Sequence, residues 1–600
     1  MNVMIFLLIS LIVHSLPIPF TRDMLDPGNL LKWLPLRLVW GTAAWAFITI
    51  LLMQTLPWAI LTLIMSFGLL LIVNSGVRFD RIESIGEGLR VPLVCTGILI
   101  LILMPLFSGL IAWTSDVANA QFFDARIEET DELLFNSTIP DEMVRLVTEE
   151  YAKYVARQHI GPFGSDVVVS AAHITTNSTG RLKWVCTITS TNVLAQNYVL
   201  GFIVVDANDP QGEEPQVITT TTIPVGEGLF WDRDIRFGNY LNDMTSAYEY
   251  AYPTWDPAGN LVYIQTRTPL GFDFVERATG PVVYAENGSI RAYDSIEETP
   301  SWITQTYSEE WLERMVSRWG GYRRGGTFDL FSSGFLWLVP PSNDRLEITE
   351  DTRYIVNPDT MTVEAFIAVH PVTNSRALAG VFRATQDTVY YHDLSGFGYV
   401  SGDAASANVV SQLPPPANGF YYGAMPLLYP VSIGGGQTKW TWYAPIYWAD
   451  GYYDEDYEEF YLSDMRLHAL AMVDASNIDK FYIKMVYDQG SGTTITGGEL
   501  VYGARVGYVE SFGGTVEPEP TGTFEITADV VNKTSYIYGG NEYFVFGTDN
   551  ATYPYITAMY EWVNETDWIT ILNLGIGNNF TATIEVVGEQ YRIIAIDKNP

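Results

Sequence analysis

Cysteine, histidine and positive charge are all scarce in this chain of 600 residues, and each scarcity removes a class of protein. The two cysteines are Cys95, inside an apolar run, and Cys186, inside a strand-like run. They belong to different phases, so no disulfide framework holds the chain together and its bulk must rest on packed cores. Cys186 sits in Trp184-Val185-Cys186 and reads as an inert core thiol. Beyond the apolar N-terminal region the histidines are His159, His173, His370, His392 and His468, no two of them at metal-ligand spacing, and each reads as structural. Lys and Arg number 33 against 69 Asp and Glu. Residues 1–114 hold six of those bases and five of those acids, which leaves 27 bases and 64 acids beyond, a net of −37. A surface of that sign cannot bind a polyanion by counterion release, so nucleic acid is excluded as a partner. The acidity reads first as colloidal solubility, with divalent-cation capture as the alternative.

Catalytic signatures are missing as well. There is no G-x-S-x-G elbow, no Walker loop and no H-E-x-x-H pair. Gly434-Gly435-Gly436-Gln437-Thr438-Lys439 imitates a phosphate loop, but its spacing is wrong and Trp440 follows the lysine, so it reads as a turn. The expectation is a protein that is not an enzyme.

What the sequence does have is greasy helix. Val3–Phe20, Leu38–Leu56, Pro57–Asn74 and Val91–Trp113 contain no Asp, Glu, Lys or Arg, and each is long enough as helix to cross about 30 Å of hydrocarbon. The first loop carries Arg22, Lys32 and Arg37, and the third carries Arg78, Arg81 and Arg90. The flank after the fourth run is acidic (Asp116, Asp124, Glu128, Glu129). Positive-inside bias then places both basic loops in the cytoplasm and leaves the N-terminus and residues 115–600 extracytoplasmic, in a multi-pass protein of the cell membrane. His14 is the one strongly polar group in the runs and reads as interfacial. Gly68 and Gly41-Thr42-Ala43-Ala44 offer small surfaces for contact with helices of a membrane partner.

The fold class expected is a four-span helical bundle followed by α+β, β-rich extracytoplasmic domains and a small C-terminal β-barrel, OB-like in outline. The divisions are 1–114 for the anchor, 115–250 and 251–395 for two α+β units, 396–512 for an aromatic-rich β unit, 513–522 for a linker and 523–600 for the barrel. Helices are expected over Pro140–Arg157 and over 308–319, the latter stopped by Gly320-Gly321. The barrel segment reads as short strands throughout, Trp568–Leu574 among them. Four apolar runs end in a similar polar turn, including Val204-Val205-Asp206-Ala207-Asn208 and Met472-Val473-Asp474-Ala475-Ser476-Asn477, which points to a faint internal repeat.

Three features bear on sites. Asp454, Glu455, Asp456, Glu458 and Glu459 form one dense acidic loop, either a solvated turn or an oxygen-rich Ca²⁺ site without EF-hand spacing. Trp440, Trp442, Tyr443, Tyr447, Trp448, Tyr452 and Tyr453 crowd one stretch, as strand core or as rings that stack on sugar. Sequons begin at Asn136, Asn177, Asn287, Asn532, Asn550, Asn564 and Asn579, the candidate glycosylation sites.

The segment Glu298-Thr299-Pro300-Ser301-Trp302-Ile303 with Arg318-Trp319-Gly320-Gly321-Tyr322-Arg323-Arg324-Gly325 resembles an uncharacterised group of prokaryotic membrane-anchored proteins. Trp442-Tyr443-Ala444-Pro445-Ile446-Tyr447 and Leu470-Ala471-Met472-Val473-Asp474-Ala475 are similar to the same group. The resemblance implies N-terminal spans, repeated extracytoplasmic α+β units and a small C-terminal β-domain, and nothing catalytic. The function expected is a scaffold or interaction subunit whose partners are the lipid bilayer and other envelope proteins. The alternatives are an accessory subunit of a transport or secretion complex and a surface glycan hydrolase.

Overall fold

The computed structural model describes the chain apart from residues 17–26, 77–86, 131–133, 178–180, 213, 220–222, 286–287, 326, 330–336, 340–343, 350–351, 361, 455–458, 489–492, 515–522, 539–540, 551–552, 554, 564, 588–589 and 599–600. The expected linker therefore lies mostly outside the described residues, as do the tip of the acidic loop and Arg22, Arg78 and Arg81 of the basic loops, whereas Lys32, Arg37 and Arg90 lie within helices.

The apolar runs form α1 (Val3–Ser15), α2 (Pro27–Ala46), α3 (Leu56–Gly76) and α4 (Glu87–Asp124), with a π-helical turn over Phe47–Leu51 continuing α2. Three of these, over Leu34–Leu51, Leu56–Val73 and Val94–Asp124, are long and apolar enough to cross a membrane, whereas α1 is a shorter apolar helix of 13 residues. Helix α4 outruns the expected stop at Trp113. Its 38 residues rise about 57 Å against a hydrocarbon core of about 30 Å, so its C-terminal turns project into the β-rich region. There Ala120 and Phe123 are buried and Asn119 is fixed between Ser115 O and Phe274 O.

His14 lies in the last turn of α1 and faces other helices. It is buried in the bundle, with Nδ1 2.8 Å from Ser10 O and Nε2 3.2 Å from Ser66 Oγ, and Trp40 Nε1 donates to the same Ser66 hydroxyl at 3.0 Å. Without water, a polar side chain in a span turns inward to partners on neighbouring helices. The small residues are also used internally. A Cβ on Gly68 would come within 2.6 Å of Ile100, and one on Gly97 within 2.7 Å of Gly68 O, so α3 and α4 cross at a glycine pair.

Beyond α4 the chain is β-rich, in several sheets. A four-stranded antiparallel sheet runs Val167–Thr176, Leu182–Ser190, Gly201–Asp206, Gln216–Ile218. A second is centred on Leu261–Pro269 and Thr279–Tyr284, a third on Val363–Pro371, Gly380–Ala384 and Val389–Asp393, and a fourth on the long hairpin Gln437–Asp454/Glu459–Asp474. The strand Ile127–Thr130, two residues past α4, pairs in parallel with Val389–His392 of the third sheet. One contiguous cluster of buried residues extends from Phe123 to Val509 through all four sheets.

The helices on these sheets are α5 (Glu149–Gln158), α6 (Ile235–Asn242), α7 (Glu309–Tyr322), α8 (Gly402–Gln412) and α9 (Gly497–Ser511). Helix α7 follows its stripe: Trp311, Leu312, Met315, Val316 and Trp319 are buried, and Ser308 Oγ accepts from Trp311 N at 3.0 Å as the N-cap. It passes through Gly320-Gly321 instead of stopping. A Cβ on Gly320 would stand 2.4 Å from Leu346 O, so this glycine allows close approach and does not break the helix. The helix expected from Pro140 starts only at Glu149, capped by Thr148. Val144-Arg145-Leu146-Val147 is apolar except for Arg145 and runs extended, because the amides of Leu146 and Val147 both donate to Ala207 O at 3.0 Å.

That extended segment exposes a duplication. Trp184 Nε1 donates to Val147 O at 3.0 Å, one residue before the Thr148 cap of α5. Trp442 Nε1 donates to Val400 O at 2.9 Å, one residue before the Ser401 cap of α8. Ala207 O accepts from Val147 N, and Ala475 O accepts from Val400 N at 2.8 Å. Asp206 and Asp474 each accept from the amide two residues on. The two most alike of the four polar turns in the sequence are thus the same turn in two copies of a helix-plus-meander unit.

At the C-terminus, Thr523–Tyr538, Asn541–Thr548, Tyr555–Met559, Gln590–Lys598 and Asn579–Val587 close in that order around a core of their own. The expected strand at Trp568–Leu574 is instead helix α10 (Glu565–Asn573). Ile571 and Leu574 are buried and Trp568 packs on the core, while Ile569 and Leu572 are exposed. The three-residue spacing decides, because Lys533 Nζ binds the carbonyls of Ile571, Leu572 and Leu574 at 2.9–3.0 Å and caps the helix end.

Candidate functional site: a cleft where the apolar helices meet the outer domain

One end of the helical bundle is joined to the β-rich region by specific contacts. Met1 O accepts from Met244 N at 2.9 Å, Leu56 N donates to Met244 O at 2.8 Å and Tyr240 Oη donates to Gln54 O at 2.8 Å. Val3, Phe6, Ile48, Ala59 and Leu63 of the bundle share one buried cluster with Phe237, Tyr240 and Met244 around α6. Trp58 meets Phe274 edge-on at 4.9 Å. The start of α1, the α2–α3 turn and the end of α4 therefore all lie on the side of the β-rich region.

The most polar part of this seam is a clamp of arginines from α7. Arg318 Nε reaches Asp116 of α4 at 3.0 Å, and its Nη1 reaches Glu276 at 2.6 Å. Arg314 Nη2 bridges Glu249 at 2.8 Å and Glu276 at 2.7 Å. Burial alone would raise the Glu276 carboxyl, but the Arg318 and Arg314 guanidiniums hold it below its ordinary value. Trp319 Nε1 adds a 2.7 Å bond to Asp124 at the end of α4.

Beside the clamp opens a cleft of ≈ 610 Å³, a size within the usual range for small-molecule sites. Ile50 and Met53, at the π-helical end of α2, line it with their apolar side chains together with Leu229, Trp231 and Phe237. Asp234, Arg236, Glu249, Glu310 and Arg314 form the inner wall. Two wall residues have left-handed backbone, Met53 at φ 45° and Trp231 at φ 59°, which side chains rarely adopt. Asp234 caps α6 by accepting from Phe237 N at 2.9 Å, and Arg236 Nη2 pairs with Glu227 at 2.9 Å. Glu227 also binds His173 Nε2, whose ring packs edge-on against Tyr250. Burial would raise the Glu227 carboxyl, and His173 and Arg236 hold it below its ordinary value.

The residues nominated from sequence lie elsewhere. Asp454 and Glu459 are partners in register at the end of the long hairpin, and Glu455, Asp456 and Glu458 fall outside the described residues. Among the described residues, no three His, Cys, Asp or Glu side chains gather as a metal-holding group. Trp440, Trp442, Tyr443, Tyr447 and Trp448 are buried in the fourth sheet and present no stacking face to a sugar. The three glycines at 434–436 all have positive φ, which makes the loop a hairpin turn between Leu427–Gly434 and Gln437–Asp454. Of the sequon asparagines, Asn136 and Asn532 are exposed, Asn177, Asn550 and Asn579 are half-buried, and Asn287 and Asn564 are outside the described residues. Cys186 is buried against Ala152 O, and burial pushes its thiol up to about 12.

Sequence reasoning missed the cleft because its walls come from four separated stretches, around residues 50–53, 229–237, 248–249 and 310–314. Phe230-Trp231 between two loop segments was the one local sign. Comparisons with family models, curated proteins and solved structures return no match to this chain. The resemblance to membrane-anchored prokaryotic proteins therefore rests on its own residues.

Proposed function

We propose that this protein is a membrane-anchored extracytoplasmic scaffold, a multi-pass anchor that holds an acidic outer body at the cell surface for interaction with other envelope components. The observation that carries the reading is α4. It runs unbroken from an apolar membrane-length segment to Asp124, is clamped there by Arg318 and Trp319, and passes directly into a strand of the third sheet. A tethered enzyme needs no such stiffness, whereas a body that positions partners does. Support for the orientation comes from the seam, which gathers the start of α1, the α2–α3 turn and the end of α4 on one side, as the basic loops require. The five closing strands with α10 before the last two, and Tyr555–Met559 parallel to Gln590–Lys598, support an OB-like terminal module; with Asn532, Asn550, Asn564 and Asn579 on it, glycan would keep it apart from tight interfaces.

A second reading, the accessory subunit of a membrane complex, is favoured by one face of α4. Ile98, Leu99, Ile102, Leu103, Leu106, Phe107 and Leu110 are exposed there, an apolar face open to lipid or to a partner helix. The hydrolase reading is not carried further, since Trp440, Trp442, Tyr443, Tyr447 and Trp448 of its aromatic stretch are core.

The test uses intact cells. Phe272 is 68% exposed on the outer body, so Phe272→Cys is expected to react with a membrane-impermeant maleimide before lysis and to cross-link in place to other envelope proteins. Labelling only after lysis refutes the orientation. A chain that labels but stays a lone species of 67.2 kDa after cross-linking refutes the scaffold.

A further inference from the structure

The cleft beside the arginine clamp has two walls of opposite character, and it lies where an apolar helix ends. Phe47, Ile50, Leu51, Leu52 and Met53, on the last turns of the second apolar segment, are all exposed, as are Phe230 and Trp231 across the opening. Acyl chains have a surface there; a wholly polar metabolite would leave that wall in water. On the inner wall nearly every polar group has a partner inside the protein. Two atoms do not. Arg236 Nε, a donor, and Glu310 Oε2, an acceptor, are buried without a hydrogen-bond partner. A buried donor or acceptor atom left unsatisfied costs about 1–3 kcal/mol, and a ligand that supplies both complements would recover that cost.

We propose that this cleft binds the headgroup of a zwitterionic aminophospholipid from the adjoining leaflet, with its ammonium on Glu310, its phosphate on Arg236 and its chains along Ile50, Met53 and Trp231. Both residues line the cleft, and the Arg236 side chain is 40% exposed. An ammonium at Glu310 would favour the charged form that burial now disfavours: burial raises its carboxyl above the ordinary value, offset only in part by its own backbone amide and by Arg236. A purely anionic headgroup is disfavoured, because Glu227, Asp234, Glu249 and Glu310 outnumber Arg236 and Arg314 around the cleft. The ammonium is therefore what the site selects, and the phosphate takes Arg236 Nε, a donor that the Nη2 pair with Glu227 leaves unused.

The inference rests on the membrane anchoring proposed above, and one experiment separates the two. The full chain is reconstituted in nanodiscs of equal phosphatidylethanolamine and phosphatidylglycerol, released into mild detergent and examined by native mass spectrometry. Retained phosphatidylethanolamine is expected to exceed phosphatidylglycerol about tenfold, the ratio one charge-assisted hydrogen bond supplies. Glu310→Gln is expected to abolish that preference without changing the melting curve. Equal retention of the two lipids by the unaltered chain overturns the inference whatever the variant does. A folded Glu310→Gln protein that keeps the preference overturns it as well. A chain that does not enter nanodiscs overturns this inference and the anchoring together.

Discussion

Glu276 is the centre of the clamp, so Glu276→Gln is the perturbation that most directly measures how firmly the outer body is held to the helices. Its side chain is 15% exposed and accepts Arg318 Nη1 at 2.6 Å, Arg314 Nη2 at 2.7 Å and Arg314 Nε at 3.2 Å. The glutamine keeps the shape but loses the charge, and one of its terminal atoms becomes a donor facing guanidinium donors. Breaking a fully buried pair by removing one partner costs about 3–5 kcal/mol. Arg314 is 34% exposed and retains Glu249, and Arg318 retains Asp116, so the expected loss is smaller, about 2 kcal/mol. Hydrogen exchange on the full chain in detergent is the assay. Amides at 115–124, the end of α4, should exchange about thirtyfold faster, the ratio equivalent to that loss, while the terminal barrel, with its separate core, should not change. Pairing with Arg318→Met in a double-mutant cycle should give a coupling of about 1 kcal/mol or more. The pH dependence has a definite sign. The folded Glu276 carboxyl lies below its unfolded value of about 4.3, so its contribution is complete above that pH and is lost as the solution is acidified through the folded value. Glu276→Gln should remove that part of the acid sensitivity. If exchange at 115–124 in the variant matches the unaltered chain, α4 is not held by this network and the reasoning fails.

Three further outcomes follow from single contacts. Lys533→Met should destabilise the terminal barrel by about 1–2 kcal/mol, read by thermal melting, because three carbonyls at the end of α10 lose their donor. Ile571→Asp should unfold that barrel whereas Ile569→Asp should be tolerated, since the first side chain is fully buried and the second is 53% exposed; circular dichroism of the isolated transition would reverse the assignment of α10 if the two behaved alike. Cys186 should resist a thiol reagent at pH 8 in the folded chain, its thiol standing at about 12, and react only on denaturation.

How far the sequence can be read depends on whether one period dominates. At α7 the 3.6-residue stripe, the Ser308 cap and the two tryptophans agree, and the helix is legible to within a few residues. At Val144–Val147 and at Trp568–Leu574 most side chains are apolar with no clear period, so strand and helix patterns both fit and tertiary partners decide: Ala207 O in one case, the barrel core with Lys533 in the other. Helix α8 is hidden by its small residues, since Ala405 and Val409 bury too little surface to make a stripe. The length of α4 was obscured by its charges. Asp116 and Asp124 mark the end of the apolar run but not of the helix, because arginine and tryptophan from α7 receive them. The cleft has no local signature at all, as its walls meet only after the bundle docks on α6.

The duplication and the charge distribution bear on the same question, how a chain without disulfides keeps a strongly acidic body in one shape. Its bases are used inward. Lys183 pairs with Asp206 at 2.6 Å, Arg505 with Asp141 at 2.5 Å and Arg383 with Glu364 at 2.9 Å, each pair with at least one buried carboxylate, and Arg145 is buried against Tyr354 O at 2.9 Å. Every base drawn inside leaves the surface more negative, and mutual repulsion then works against compactness. The opposing term is burial: all four sheets share one core, and in both copies of the repeated unit an indole N–H locks the segment entering the helix to a central strand. Since screening weakens the repulsion but hardly touches the buried contacts, added salt should tighten this body, the reverse of what a fold held by surface ion pairs would show. The same surface field repels anionic envelope polymers, which leaves cationic or neutral partners, and the lipid seam itself, as the places where the protein can be engaged.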